Sequence, residues 1–120
     1  RARSSAHVTK GAAFKKFVPR ATWQDAADPW PGSPDDQRDG FLHLSSRHQV
    51  EATLQRHFAG QDDLLLLGVA PERLPAGSLR YELSRSGQRF PHLYGPLPRS
   101  AVVSVVSAPR TAPPGDPPAG

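Results

Sequence analysis

The stretch FLHLSSRHQVEATLQRHFAGQDDLLLLGV, residues 41–69, decides the class of fold. It opens on FLHL, a short apolar run with one histidine inside it, which reads as a strand. Ser46 then stands three residues before Gln49. That is the spacing of a capping box, in which two side chains close orphan N–H groups at a helix start. Val50, Leu54 and Phe58 follow at every fourth position and form one apolar stripe, and Gly60 suits the left-handed residue that ends a helix. DDLLLLGV is a continuous apolar run, short enough for a strand covered on both faces. A strand, a capped helix and a buried strand within 29 residues place the chain among folds that combine helices with a sheet.

The flanks extend this pattern. FKKFV, residues 14–18, predicts a short strand. Pro19 suits a first helical turn, where its missing N–H costs nothing, and ATWQDAA predicts a short helix with Trp23 and Ala27 facing inward. DPWPGSPDDQRDG, residues 28–40, reads as a long loop from its proline and glycine content. Beyond the buried strand, PERLPAG reads as a turn and LRYEL as an alternating strand. SRSGQRFPHLYGPLPRS, residues 84–100, reads as loop, and AVVSVV as the last strand. The expected order is β-α-β-α-β-β-β: one α+β domain over residues 14–107, built from a mixed sheet and two helices.

Charge and composition narrow the functions. Six Lys and Arg fall within residues 1–20 with no acid among them, whereas residues 21–120 carry nine arginines against eleven acids. The body is therefore close to neutral, and a phosphate-tracking face would need clustered cations within the fold. Nucleic acid is not expected as a partner, and residues 1–13 read as a basic arm. Residues 108–120 hold five prolines and little apolar surface, so a disordered tail is expected there. The chain has no cysteine, which removes thiolate catalysis and cysteine zinc sites. No apolar run is long enough to span a membrane, and the cytoplasm is the expected compartment. His48 and His57 fall on opposite faces of one helix and no HExxH spacing is present, so no metal site is expected. Nucleophile-elbow, phosphate-loop and dinucleotide fingerprints are also missing from the sequence.

Strand periodicity singles out the residues that could do chemistry. With Leu42 and Leu44 turned to the core, Phe41, His43 and Ser45 share the other face. With Leu79, Tyr81 and Leu83 turned inward, Arg80 and Glu82 point the opposite way. FPHLYGPL adds His92 and Tyr94 on a backbone stiffened by Pro91, Pro96 and Pro98. Each residue has a structural alternative. His43 can bond a core carbonyl, Ser45 and Ser46 can cap a helix, Arg80 and Glu82 can form an exposed pair, and His92 and Tyr94 can close a core. Their joint occurrence on two strands and one stiff segment argues for a ligand site.

DGFLHLSS, HFAGQDDLLLLGV, LRYELSR and FPHLYGPL, in this order, resemble the bacterial and plant family called domain of unknown function 952. FKKFVPRATWQDAA resembles that family's opening strand and tryptophan-bearing helix, with Lys15 where members tend to have an aromatic residue. The resemblance covers about residues 14–106. It implies a fold similar to the ADP-ribosyltransferase-like superfamily, and FLHLS looks like the His-x-His-Leu-Ser strand of tRNA 2′-phosphotransferases. The family carries no established activity. What the superfamily resemblance implies is an expectation: NAD or an ADP-ribosylated substrate, without a metal, in a cleft between the two polar strands. His43 and Glu82 would be catalytic, with Glu82 stabilising charge at the ribose. His43 and Ser45 would bond ribose or phosphate, Tyr94 and Phe41 would stack on a base, and Arg80 or Arg89 would hold pyrophosphate. His92 would serve as a second acid/base or a ligand donor. The alternative is a nucleotide or metabolite binder without catalysis.

Overall fold

A computed structural model describes residues 13–84 and 87–108. Residues 1–12 and 109–120, and with them nearly all of the expected basic arm and proline-rich tail, lie outside the described residues, as does Arg85. Among the described residues, seven strands run in chain order: β1 (Phe14–Pro19), β2 (Leu42–His43), β3 (Ser45–Ser46), β4 (Leu64–Val69), β5 (Leu79–Leu83), β6 (Arg89–Leu93) and β7 (Val102–Ser107). Three helices accompany them: α1 (Arg20–Gln24), α2 (Pro34–Asp39) and α3 (Val50–His57). The α+β class expected from the sequence holds.

The strands form two sheets, β3-β1-β4-β7 and β2-β6-β5, whose ladders all run antiparallel, in place of the single mixed sheet expected. The reason lies at Leu44. In the three-stranded sheet Leu42 pairs with Leu93 and His43 with His92, so Leu44 comes next opposite Pro91. Leu44 donates its N–H to the Pro91 carbonyl at 3.0 Å. The reciprocal bond needs an N–H on residue 91, and proline has none. The chain therefore leaves this sheet after one half-made pair, and Ser45–Ser46 joins β1 in the other sheet. What reads as one strand is two short strands in two sheets.

The main core joins the sheets through Phe14, Val18, Leu42, Leu44, Leu65, Leu67, Val69 and Leu93, closed at one end by Trp23, Trp30 and Leu97. A second cluster lies on the other face of β1 and β4, where Phe17 and Leu64 meet Leu54, with Val50 and Phe58 beside them. The stripe read from the sequence is thus the inward face of α3, continued by Phe58 just past its end. Ser46 N–H and Oγ both donate to Gln49 Oε1, at 3.0 and 2.7 Å, at the start of a 3₁₀ turn (Arg47–Gln49) that leads into the helix.

Three local expectations change. First, α1 ends at Gln24, so Ala27 is exposed and Ala26 packs beside Trp23 in its place. Second, residues 34–39 are helical inside the segment read as loop: Ser33 Oγ accepts from Asp36 N–H, Asp36 Oδ2 accepts from Ser33 N–H, and Pro34 opens the helix. Third, residues 89–93 form the central strand of the smaller sheet. Pro91 is tolerated there because its missing N–H faces the point where β2 ends.

Candidate functional site

The smaller sheet turns Leu42 and Leu93 to the core, and strand alternation brings His43, His92, Phe90, Arg80 and Glu82 to its other face. His43 and His92 stand directly opposite in the ladder, their ring centroids 5.7 Å apart. Phe41 stacks on His92 at 4.1 Å and touches the rings of His43 and Tyr94. His92 Nδ1 lies 2.8 Å from Glu82 Oε1, and the same oxygen accepts the Tyr94 hydroxyl at 2.6 Å. The Arg80 guanidinium stands 5.2 Å from the centre of the Tyr94 ring. Of the residues expected from the sequence, Phe41, His43, Arg80, Glu82, His92 and Tyr94 thus form one continuous contact network. Ser45 belongs to the other sheet, where its hydroxyl lies 2.9 Å from Thr53 Oγ1. Arg89 is exposed at the far end of β6, opposite Leu83.

A cleft of about 540 Å³ opens beside this network. His43, His92, Phe90, Ser45 and Lys16 line it together with α2 and with Thr53, His57 and Phe58. Glu82, Tyr94 and Arg80 are absent from its wall and stand behind His92.

The residues that organise the cleft were not prominent in the sequence. Asp36 is 2% exposed, and its carboxylate accepts four hydrogen bonds. Oδ1 takes the His43 ring Nδ1 at 2.6 Å and the His43 backbone N–H at 3.1 Å. Oδ2 takes Lys16 Nζ at 2.9 Å and Ser33 N–H at 2.9 Å. Lys16 also donates to the His43 carbonyl at 2.9 Å. This buried Lys16–Asp36 pair fixes both the backbone and the ring of His43. Burial pushes the Asp36 carboxyl up, but the bonds from His43, Lys16 and Ser33 outweigh it and hold the group well below the usual carboxylate range. Burial pulls the Lys16 ammonium down, and Asp36 offsets part of that.

The second carboxylate on His43 differs in kind. Asp39 Oδ2 lies 2.9 Å from His43 Nε2, with the Asp39 side chain 35% exposed. Its other oxygen accepts from Arg38 Nε at 3.2 Å, and that bond, ahead of the others, draws the Asp39 carboxyl down. Both ring nitrogens of His43 therefore meet carboxylates, and both contacts are hydrogen bonds only when both nitrogens carry hydrogen. Glu82 is also held below its ordinary value, first by the Tyr94 hydroxyl and then by His92, and Tyr94 is pushed up by the same bond.

Chemically, the site offers two cross-strand imidazoles, each oriented at Nδ1 by a carboxylate, at the wall of a cleft with phenyl rings behind. Such an arrangement can bind an anion or hydroxyl and move a proton. Among the described residues, no three His, Cys, Asp or Glu side chains gather as metal ligands, and no helix is long and apolar enough to cross a membrane.

The comparisons with known proteins agree on kinship and say nothing of activity. Residues 17–105 match the family described as "Protein of unknown function (DUF952)", and the chain belongs to that family. The crystal structure of protein CC0527 from Caulobacter crescentus is 42% identical over 78% of this chain and 83% of that one, with a TM-score of 0.74. The solution NMR structure of CC0527 is 42% identical over 78% of this chain and 82% of that one, with a TM-score of 0.69. No curated protein matches the chain.

Proposed function

For a member of a family without an assigned activity, we propose that the cleft takes a nucleotide of the ADP-ribose class, NAD or an ADP-ribosylated substrate, and that His43 and His92 face its reacting ribose. The observation that carries this reading is the pair of facing imidazoles, each pinned at Nδ1 by a carboxylate, at the wall of a cleft of about 540 Å³. That volume falls within the usual span of small-molecule sites, roughly 300–1,000 Å³. The resemblance of FLHLS to the strand of the tRNA 2′-phosphotransferases adds support, as an analogy of fold.

In this reading the glycosidic C–N bond of NAD breaks and nicotinamide departs with the bonding pair. A water or acceptor hydroxyl adds to the ribose carbon and gives up its proton. His92 is the base for that proton, because its Nδ1 is engaged by Glu82 and its Nε2 remains for the cleft. Glu82 orients the ring and stabilises its positive charge, a role that suits a carboxylate behind His92 better than direct contact with the ribose. His43 and Ser45 hold ribose or phosphate oxygens. Tyr94 and Arg80 belong to the network behind His92 and offer a stacking edge to a base that extends past the cleft wall.

A thermal-shift screen with NAD, ADP-ribose and nicotinamide, followed by a nicotinamide-release assay, tests the reading. NAD or ADP-ribose should raise the melting temperature, and release should fall at least tenfold in His92→Ala. Neither a shift nor any release would refute it. A non-catalytic nucleotide binder is the second reading, favoured by one fact: both nitrogens of His43 are already occupied. Stabilisation by ADP-ribose without nicotinamide release would select it.

A further inference from the structure

We propose that Asp39 is an internal stand-in for the ligand's anionic group: its carboxylate occupies the place on His43 Nε2 that a phosphate oxygen of the substrate takes, and it must swing away for the substrate to bind. The inference rests on the reading of the cleft as a nucleotide site and specifies which atom receives the pyrophosphate.

The two carboxylates on His43 do different work. Asp36 alone is enough to set the ring, since it holds Nδ1 at 2.6 Å and the backbone N–H of the same residue at 3.1 Å. It is buried, and Lys16 and Ser33 fill its other oxygen. It cannot leave without stranding a buried ammonium. Asp39 adds nothing to that orientation. It is the last residue of α2, is partly exposed, lines the cleft with His43, and makes its 2.9 Å contact at Nε2. Its Oδ1 is already bonded to Arg38 Nε, so the carboxylate keeps a cationic partner when it lets go of the histidine. Gly40, next in the chain, caps α2 with its N–H on the Asp36 carbonyl at 2.9 Å, so the backbone stays in place and release is a turn of the Asp39 side chain alone.

Chemical identity points the same way. A carboxylate oxygen at 2.9 Å from an imidazole nitrogen has the charge and reach of a phosphate oxygen at that point. An apolar ligand offers no partner for Nε2, and a cation would pair with Asp39 itself rather than with the imidazole. The group received at His43 Nε2 is therefore an oxyanion, and the resting protein has its own oxyanion there.

Calorimetric titration of the full chain with inorganic pyrophosphate and with ADP-ribose tests this. Asp39→Asn should bind both about tenfold more tightly than the natural chain, because the competing charge-assisted bond is gone. Asp35→Asn is the control. Asp35 also lines the cleft and pairs with Arg38, at 3.2 Å, but makes no contact with His43, so its removal should change affinity less than about twofold. His43→Ala combined with Asp39→Asn should lose the gain. The inference falls if Asp39→Asn gains no more than Asp35→Asn, if the gain survives without His43, or if no variant binds either probe. Pyrophosphate following the pattern while ADP-ribose binds nothing would remove the nucleotide reading and keep the stand-in. Equal ADP-ribose binding by the natural chain and Asp39→Asn would do the reverse.

Discussion

Truncating Asp36 to alanine should unfold much of what the site depends on, and the structure gives the size of the loss. Lys16 is 7% exposed, and its ammonium rests on two acceptors, Asp36 Oδ2 and the His43 carbonyl. Without Asp36, a buried charge is left with one neutral partner. Breaking a buried pair from one side costs about 3–5 kcal/mol. Alanine also removes the acceptor for Ser33 N–H at the start of α2, about 1 kcal/mol more. Against a stability of about 5–15 kcal/mol for a domain of this kind, a loss of roughly 4–6 kcal/mol is severe. Urea denaturation can read it through Trp23 and Trp30, both buried, with ring centroids 5.6 Å apart. With a urea slope of about 2 kcal/mol/M, the midpoint should fall by about 2 M or more. The decisive comparison is the double variant Asp36→Ala with Lys16→Met. It leaves no charge buried, so it should be at least about 2 kcal/mol more stable than the two single losses added together. A single loss below about 1 kcal/mol, or simple additivity in the double, would refute the account of a mutually dependent pair.

Further expectations follow from the same contacts. The Asp36 carboxyl is depressed in the folded chain, so its contribution is complete above the ordinary value of 3.8 and is lost as pH falls from there toward the folded value. The urea midpoint should therefore drop steeply below about pH 4, and Asp36→Asn should flatten that limb. Ser33→Ala removes the N-cap hydroxyl of α2 and should cost about 1 kcal/mol in the same assay. Leu93 is fully buried between the sheets, and Leu93→Ala should cost about 2–5 kcal/mol. Glu82→Gln should move the urea midpoint little, since the carboxylate is partly exposed, while moving the NMR signals of the His92 ring nitrogens at fixed pH, because the partner at Nδ1 changes from carboxylate to amide. Unmoved His92 ring signals would show that Glu82 does not act through that ring.

Where the sequence was readable, the information was local. The Ser46–Gln49 spacing, the Val50–Leu54–Phe58 stripe and the run 64–69 each carry their own signal within a few residues, and each matches its element. The same holds for the shared face of Arg80 and Glu82 on β5 and that of Phe41 and His43, whereas Tyr81 and Leu83, expected to turn inward, are exposed because β5 is the edge strand of the smaller sheet. Asp36 does not stand out in the sequence, although Ser33-Pro34-Asp35-Asp36 is a serine, a first-turn proline and an acid at capping distance, because the surrounding prolines and glycines give the segment the composition of a loop. Lys16 had no such cue. Its place on the core-facing side of β1 makes sense only once Asp36, twenty positions on, is known to stand beside it. His92 stands out in the sequence as a candidate, but the composition of residues 84–100 reads as loop and hides its strand, since a proline inside a central strand is uncommon.

That same proline ties the fold to the site. A strand running unbroken from Phe41 to Ser46 would keep His43 and Ser45 on one face of one sheet, remote from β1. The missing N–H at Pro91 lets the chain leave the smaller sheet at Leu44 and pair Ser45 with Lys15. His43 is then the last residue of one sheet and Ser45 the first of the other, and the gap between them opens onto the cleft that both residues line. The Lys16 ammonium reaches from β1 to the His43 carbonyl across that seam, and Asp36 closes the corner from α2. The site is thus a consequence of how the two sheets part. Substitution of Pro91 by a residue with an N–H would favour the unbroken ladder and pull Ser45 away from β1, a change that amide hydrogen exchange at residues 44–46 and 91 would report. Unchanged protection at Ser45 and Ser46 in such a variant would mean that packing of Leu44, rather than the absent N–H, sets the break.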